Sequence, residues 1–194
     1  MSIVEMVREG ESIEKIEKAF NALSHEERLE EMYKFKSKDQ DKLYELASGR
    51  YAGPDFFVPK KRYGQEVIHW GVNSLPFFSK FQKRMTAKNG GKTTSYSGYN
   101  EQTMKGVTGP GYFSLLDKKE GPHGKKQVAI NYYDEPGFKY DSWSKMAKNT
   151  SGLSRFVYGN MHDWMWKVSD HVSIGKANKN GKFMNNWFIL CRED

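Results

Sequence analysis

The stretch from Arg155 to Arg192, RFVYGNMHDWMWKVSDHVSIGKANKNGKFMNNWFILCR, most constrains what this chain can fold into. Short runs rich in aromatic and β-branched residues alternate there with turn signals, which is the signature of antiparallel strands. Successive residues on a strand point to opposite faces. One strand over residues 156–168 predicts a face of Phe156, Tyr158, His162, Trp164, Trp166 and Val168, and another of Val157, Met161, Asp163, Met165 and Lys167. So many rings need a large apolar volume to face. A small β-barrel with a ligand cavity supplies one, and so does a well-packed sandwich.

A chain of 194 residues predicts one core, with room for a small helical appendage. Aromatics make up 14% of it, so rings dominate the core and a disordered chain is excluded. The single cysteine, Cys191, excludes an internal disulfide and a multi-cysteine metal site. Its place on a predicted strand makes it a small buried residue. The first fifteen residues carry no apolar segment of the signal-peptide kind, and no run nears the roughly 18 apolar residues of a membrane span. A cytoplasmic protein is expected, with no metal or cofactor; the oligomeric state stays open.

Charge is unevenly spread. Residues 1–48 hold 8 Lys/Arg and 12 Asp/Glu, a net of −4, whereas residues 49–194 hold 23 and 12, a net of +11. Mutual attraction of the two parts explains this, and so does a basic surface that steers anions. The acidic part predicts a helical segment over 1–48, packed on a β-barrel domain over 49–194. Ser12 can cap a helix with Ile13, Ile16, Phe20 and Leu23 on one face. Ser24 with Glu27, and Ser37 with Gln40, predict two more helix starts, and Gly49 a stop. Helices this short are marginal alone in water and need a surface to pack on.

After Gly49 the helical period is lost. Turn signals recur at Asn89-Gly90-Gly91, Gly109-Pro110-Gly111, Gly121-Pro122, Glu135-Pro136-Gly137 and Asn180-Gly181. Residues 111–116 are predicted to pair with 127–133, and 172–176 with 183–191 across the Asn-Gly turn. Residues 140–151 read as a short helix or a crossover. The fold class expected is mainly β (α+β): an antiparallel barrel preceded by about three short helices.

Three local patterns resemble one family. Gly49-Arg50-Tyr51-Ala52-Gly53 is similar to a GXWXG motif with Tyr in place of Trp. Tyr133-Asp134-Glu135-Pro136, followed by Asp141 and Trp143, is similar to a Tyr-Asp-x-x-Pro stretch with a downstream Asp and aromatic. Residues 168–175 and the ending Trp187-Phe188-Ile189-Leu190-Cys191-Arg192 resemble a final hairpin closing on Leu-x-Arg. Together, over residues 49–194, they resemble lipocalin-like (calycin) proteins of the GXWXG type. The resemblance implies a barrel whose closed end is sealed by a ring and a guanidinium, with Tyr51 and Arg192 in those places. It implies no particular activity.

Trp70, Tyr132, Trp143, Tyr158, His162, Trp164, Trp166 and Trp187 are the candidates to line a cavity for a hydrophobic or aromatic small molecule, and the basic body favours an anionic one. A packed core explains the same rings. An enzyme on the same barrel (an isomerase, cyclase or lyase) is the alternative, with His69 or His162 as base, Asp134 or Asp163 orienting it, and Tyr132 or Tyr158 as acid. Structural histidines explain the same residues. A nucleic-acid module is the third reading. Lys60-Lys61-Arg62 and Lys80, Lys83, Arg84, Lys88 and Lys92 interleave with Phe77, Phe78, Phe81 and Tyr96, as in single-strand binding surfaces, although an exposed sheet face looks alike. The glycine-rich run 106–111 lacks the lysine of a phosphate loop and reads as a turn.

Overall fold

A computed structural model describes residues 1–75, 79–91, 93–101 and 109–194. Eight antiparallel strands close on themselves in chain order: β1 (Val67–Asn73), β2 (Lys80–Asn89), β3 (Thr94–Glu101), β4 (Phe113–Lys118), β5 (Gln127–Asn131), β6 (Met161–Lys167), β7 (Val172–Lys179) and β8 (Lys182–Arg192). β8 returns to β1, with His69 opposite Arg192 and Gly71 opposite Leu190, so the sheet has no free edge. The expected pairings hold: Leu115 faces Ile130, and β7 meets β8 through Asn180 and Gly181, both at positive φ (51° and 78°) as a two-residue hairpin requires.

Four helices precede the barrel, one more than the sequence predicts: α1 (Ile3–Glu9), α2 (Ile13–Asn21), α3 (His25–Met32) and α4 (Ser37–Leu46). The extra helix, α1, has its own capping box, Ser2 with Glu5. The Ser24–Glu27 box starts α3, whereas α4 begins one residue earlier than Ser37 would dictate, Asp39 accepting from the Lys36 N–H at 2.9 Å. Two short turns follow, α5 (Pro54–Phe57) and, before β6, α6 (Ser154–Val157). Residues 140–151 form neither helix nor strand. They run over the outer wall as part of the long β5–β6 connection, tied down by Asn149, whose side chain donates to the carbonyls of Tyr112 (2.7 Å) and Tyr132 (3.0 Å).

The expected strand over 156–168 is corrected. Residues 154–157 turn helically, Asn160 adopts a left-handed φ of 55°, and β6 starts only at Met161. Within β6 the predicted alternation stands, but the faces are assigned by what covers them. Asp163 and Met165 point into the barrel, since they pair with Ile130, Ala177 and Gly175 of the interior face. Trp164 and Trp166 point out.

The outward face of β6, β7, β8 and β1 is buried a second time, beneath the helices. Val72, Trp166, Val168, Ile174, Trp187, Ile189 and Cys191 form one cluster with Val7, Ile16, Phe20, Met32, Leu43 and Tyr44. This explains the unbroken apolar run Trp187–Cys191, since a strand covered on both faces loses its alternation. The acidic helices are also tied by charge: Glu17 accepts from Arg50 and lies 3.4 Å from the Lys167 ammonium, and Arg28 pairs with Asp194.

Inside, three cross-strand pairs set the shape. Gly71 faces Phe81, Gly98 faces Phe113 and Gly175 faces Phe188. Each ring lies flat over its glycine, where a Cβ would come within 2.3–2.5 Å of the nearest ring carbon. We expect Gly98→Ala, which meets the Phe113 ring and the Arg84 carbonyl, to cost about 1–3 kcal/mol of stability in urea unfolding. Gly137→Ala, with nothing within 4 Å, should leave the midpoint unchanged.

Candidate functional site

One end of the barrel is plugged from within the chain. Gly53-Pro54 opens α5, and Ala52, Phe57 and Val58 pack onto Val67, Met85, Ala87, Leu115, Val128 and Leu190. Arg192 donates to the Phe56 carbonyl and lies 5.3 Å from the centroid of the Phe56 ring. The ring at the closing guanidinium is thus Phe56 rather than the expected Tyr51, because the α5 turn carries Phe56 inward. Tyr51 remains outside, with the Lys126 ammonium 4.1 Å above its ring.

Beyond the plug, towards the end where β2 starts and β3 ends, the interior holds a fully buried polar group. Lys83 comes from β2, Asn100 from β3 opposite it, Asp163 from β6, and Tyr132 from the residue just after β5. All four are 4% exposed or less. The Lys83 ammonium donates to Asn100 Oδ1 at 2.8 Å, to the Tyr132 hydroxyl, and to Asp163 Oδ2 at 3.3 Å. Asn100 is fixed in turn by donating to the Gly111 carbonyl at 3.0 Å. The rings of Phe81, Phe113, Tyr132 and Phe188 surround the ammonium, their centroids 5.0–5.6 Å away, within cation–π range. Three of these are the rings folded onto glycines, so the Gly–Phe pairs open the centre of the barrel to the lysine head. Tyr158 stacks on Tyr132 at 5.4 Å.

Burial is the main influence on these groups. It pushes the Lys83 ammonium down, with Asp163 pulling it back up, and pushes the Asp163 carboxyl up, with Lys83 opposing. It also drives the Tyr132 phenol well above its ordinary value. The two groups lie 3.3 Å apart in an apolar, aromatic box, each opposing the shift that burial imposes on the other. His69, paired with Lys83 across β1 and β2, is wholly buried. Its Nε2 bonds the Phe57 carbonyl at 2.8 Å, which makes Nε2 the donor, and Nδ1 has no partner. Burial lowers its pKa to about 3.

The structure gathers only some of the sequence candidates here. Asp163, Tyr132 and Tyr158 meet, with His69 nearby on the same interior face. His162 points the other way from Asp163, onto the outer wall, packed on Tyr133 (4.6 Å) and Trp164 (5.7 Å), with Asp134 exposed close by. Trp70, Trp166 and Trp187 lie under the helices. Trp143 sits on the outer wall with Tyr99 and Tyr112, donating to Glu66. Cys191 is buried beside His25, and its thiol is pushed up to about 12.

Lys83 and Asn100 were missed as site residues. The sequence places Lys83 in a basic run, yet it shares parity with Met85 and Ala87, which marks an inward face. The rest of that run offers no stacking platform. Phe81 is turned inward, Tyr96 bonds Asp55, and Arg84 pairs with Glu66. Phe77, Phe78, Lys92 and the run 106–108 lie outside the described residues. Two outer clefts, of about 470 Å³ beside Phe138–Asp141 and about 310 Å³ between Tyr44 and Lys176, are lined by no buried lysine, acid or histidine. Among the described residues no group of three or more His, Cys, Asp or Glu could hold a metal, and no helix is long and apolar enough to cross a membrane.

Comparison with family models, curated proteins and solved structures returned no match.

His69 has a measurable consequence. Its folded pKa lies below the ordinary 6.5, so the unfolded chain binds a proton that the folded one refuses. Stability from this group is full above about pH 6.5 and is lost as pH falls towards 3. His69→Gln should remove up to about 1.4 kcal/mol per pH unit from the acid-side slope of unfolding free energy.

Proposed function

We propose that this protein binds a small, largely apolar or aromatic molecule with an acidic group inside the barrel, with Lys83 as the anchor. The supporting observation is the Lys83–Asp163 pair itself. Replacing such a buried pair with apolar residues of similar volume is often neutral or stabilising, so fold stability does not account for it. Its setting, a cation walled by four rings inside a closed eight-strand barrel, suits an aromatic acid: rings against rings, and carboxylate on ammonium. Eight-strand barrels of the lipocalin type hold one small ligand, and the architecture here is compatible with that type.

The enzymatic alternative draws no support from its histidines. His69 is a weak base held by Phe57, and His162 lies outside the barrel. The nucleic-acid reading loses Phe81 and Lys83 to the interior.

A ligand anion would enter a site that already holds one carboxylate. Asp163, with its carboxyl raised by burial, is the group to take a proton as the anion arrives. Binding of an anionic aromatic probe such as anilinonaphthalene sulfonate should therefore take up one proton. Affinity should weaken as pH rises, towards tenfold per unit. Calorimetry in buffers of different ionisation enthalpy reads this directly. The double variant Lys83→Met/Asp163→Asn, which leaves no unpaired charge, should fold and lose at least tenfold in affinity, while Lys176→Met on the outer wall should not. Flat titrations of the unaltered protein, or an unaffected double variant, defeat the reading.

A further inference from the structure

We propose that Lys83 captures small apolar aldehydes or ketones covalently, as a Schiff base inside the barrel. This rests on the reading above only in that a small apolar molecule must reach the interior. Four observations carry it beyond reversible binding.

The first is charge balance. The polar group has one cation and one anion and is neutral as a unit. A carboxylate ligand upsets that balance and must recruit a proton. A neutral carbonyl does not, because the iminium formed on Lys83 inherits the charge of the ammonium and keeps Asp163 as its counter-ion.

The second is the set of groups at the nitrogen. Asp163 Oδ2, 3.3 Å away, takes the ammonium proton and frees the amine lone pair. The lone pair forms a C–N bond to the carbonyl carbon, and the C=O π electrons move to oxygen, which takes a proton from the Asp163 carboxyl or the Tyr132 phenol. The carbinolamine nitrogen returns one N–H proton to the Asp163 carboxylate, which passes it to the hydroxyl oxygen, and water leaves as the nitrogen lone pair forms the C=N bond. Ammonium and carbonyl become the iminium and one water, with Asp163 again a carboxylate and no oxidant or reductant required. Both acids stand at the nitrogen already, Tyr132 by its hydrogen bond with Lys83.

The third is the wall. Phe81, Phe113 and Phe188, laid flat on their glycines, keep the Lys83 nitrogen buried and stabilise a cation at the centre they surround. The fourth is selectivity. Among the described residues Lys83 is the one buried lysine, and burial pushes its pKa down, towards the free amine that attacks a carbonyl.

The test is reductive trapping on the full-length protein. Cinnamaldehyde at low molar excess is added near pH 7 with cyanoborohydride, followed by intact mass and peptide mapping. Cinnamate binding is measured in parallel by tryptophan fluorescence. The expected result is a single adduct, the mass of the aldehyde less one oxygen, on Lys83. Excess cinnamate should slow it, and it should be absent from Lys83→Arg and from Lys83→Met/Asp163→Asn, whichever of the two folds. Cinnamate binding with no adduct, or adducts spread over surface lysines, overturns the inference and leaves the binding reading in place. Neither binding nor adduct overturns both. An adduct on Lys83 without cinnamate binding upholds the inference and rejects the anionic ligand.

Discussion

The laying of three phenyl rings onto three glycines inside the barrel governs much else. A barrel of eight strands has little interior volume, and large side chains ordinarily fill it. Here Phe81, Phe113 and Phe188 are pressed against the wall because Gly71, Gly98 and Gly175 opposite them have no Cβ. The space kept at the centre is taken by the head of Lys83, and the rings become its surroundings. Without the glycines the rings would stand inward and the lysine would have no place. The buried pair with Asp163 and the proposed chemistry both descend from that steric fact.

The outer wall follows a different logic. The helices are each too short to persist alone, and they persist because β6, β7, β8 and β1 offer them a second apolar face. Four of the five tryptophans, Trp70, Trp164, Trp166 and Trp187, belong to that outward face. They point away from the barrel interior, and Trp70, Trp166 and Trp187 join the helices to the barrel. The charge asymmetry has a part in the same joint, with Arg50 and Lys167 of the basic part meeting Glu17 of the acidic part. Attraction within the chain thus uses some of the charge that a sequence reader would assign to ligands.

Legibility differed with the range of the signal. The β7–β8 hairpin was written in Asn180-Gly181, and α3 in Ser24 and Glu27, because turn and cap chemistry are local. The inward or outward sense of a strand was not. The alternation in β6 separated Asp163 from the tryptophans correctly, but period alone does not say which face meets the barrel axis. Trp166 looked like a pocket residue and Asp163 like a partner of His162, and both assignments reversed once the helices covered the tryptophan side.

The sequence by itself determined the strand-rich body, the helical start, most turns and the two faces of each strand, since these depend on neighbours within a few residues. Only the tertiary structure decided that the sheet closes with β8 on β1, that Phe56 rather than Tyr51 lies at Arg192, and that Lys83 meets Asp163 and Tyr132. Those contacts join residues up to 136 positions apart. The barrel's closure brings them together, and no local pattern encodes the distance between their side chains.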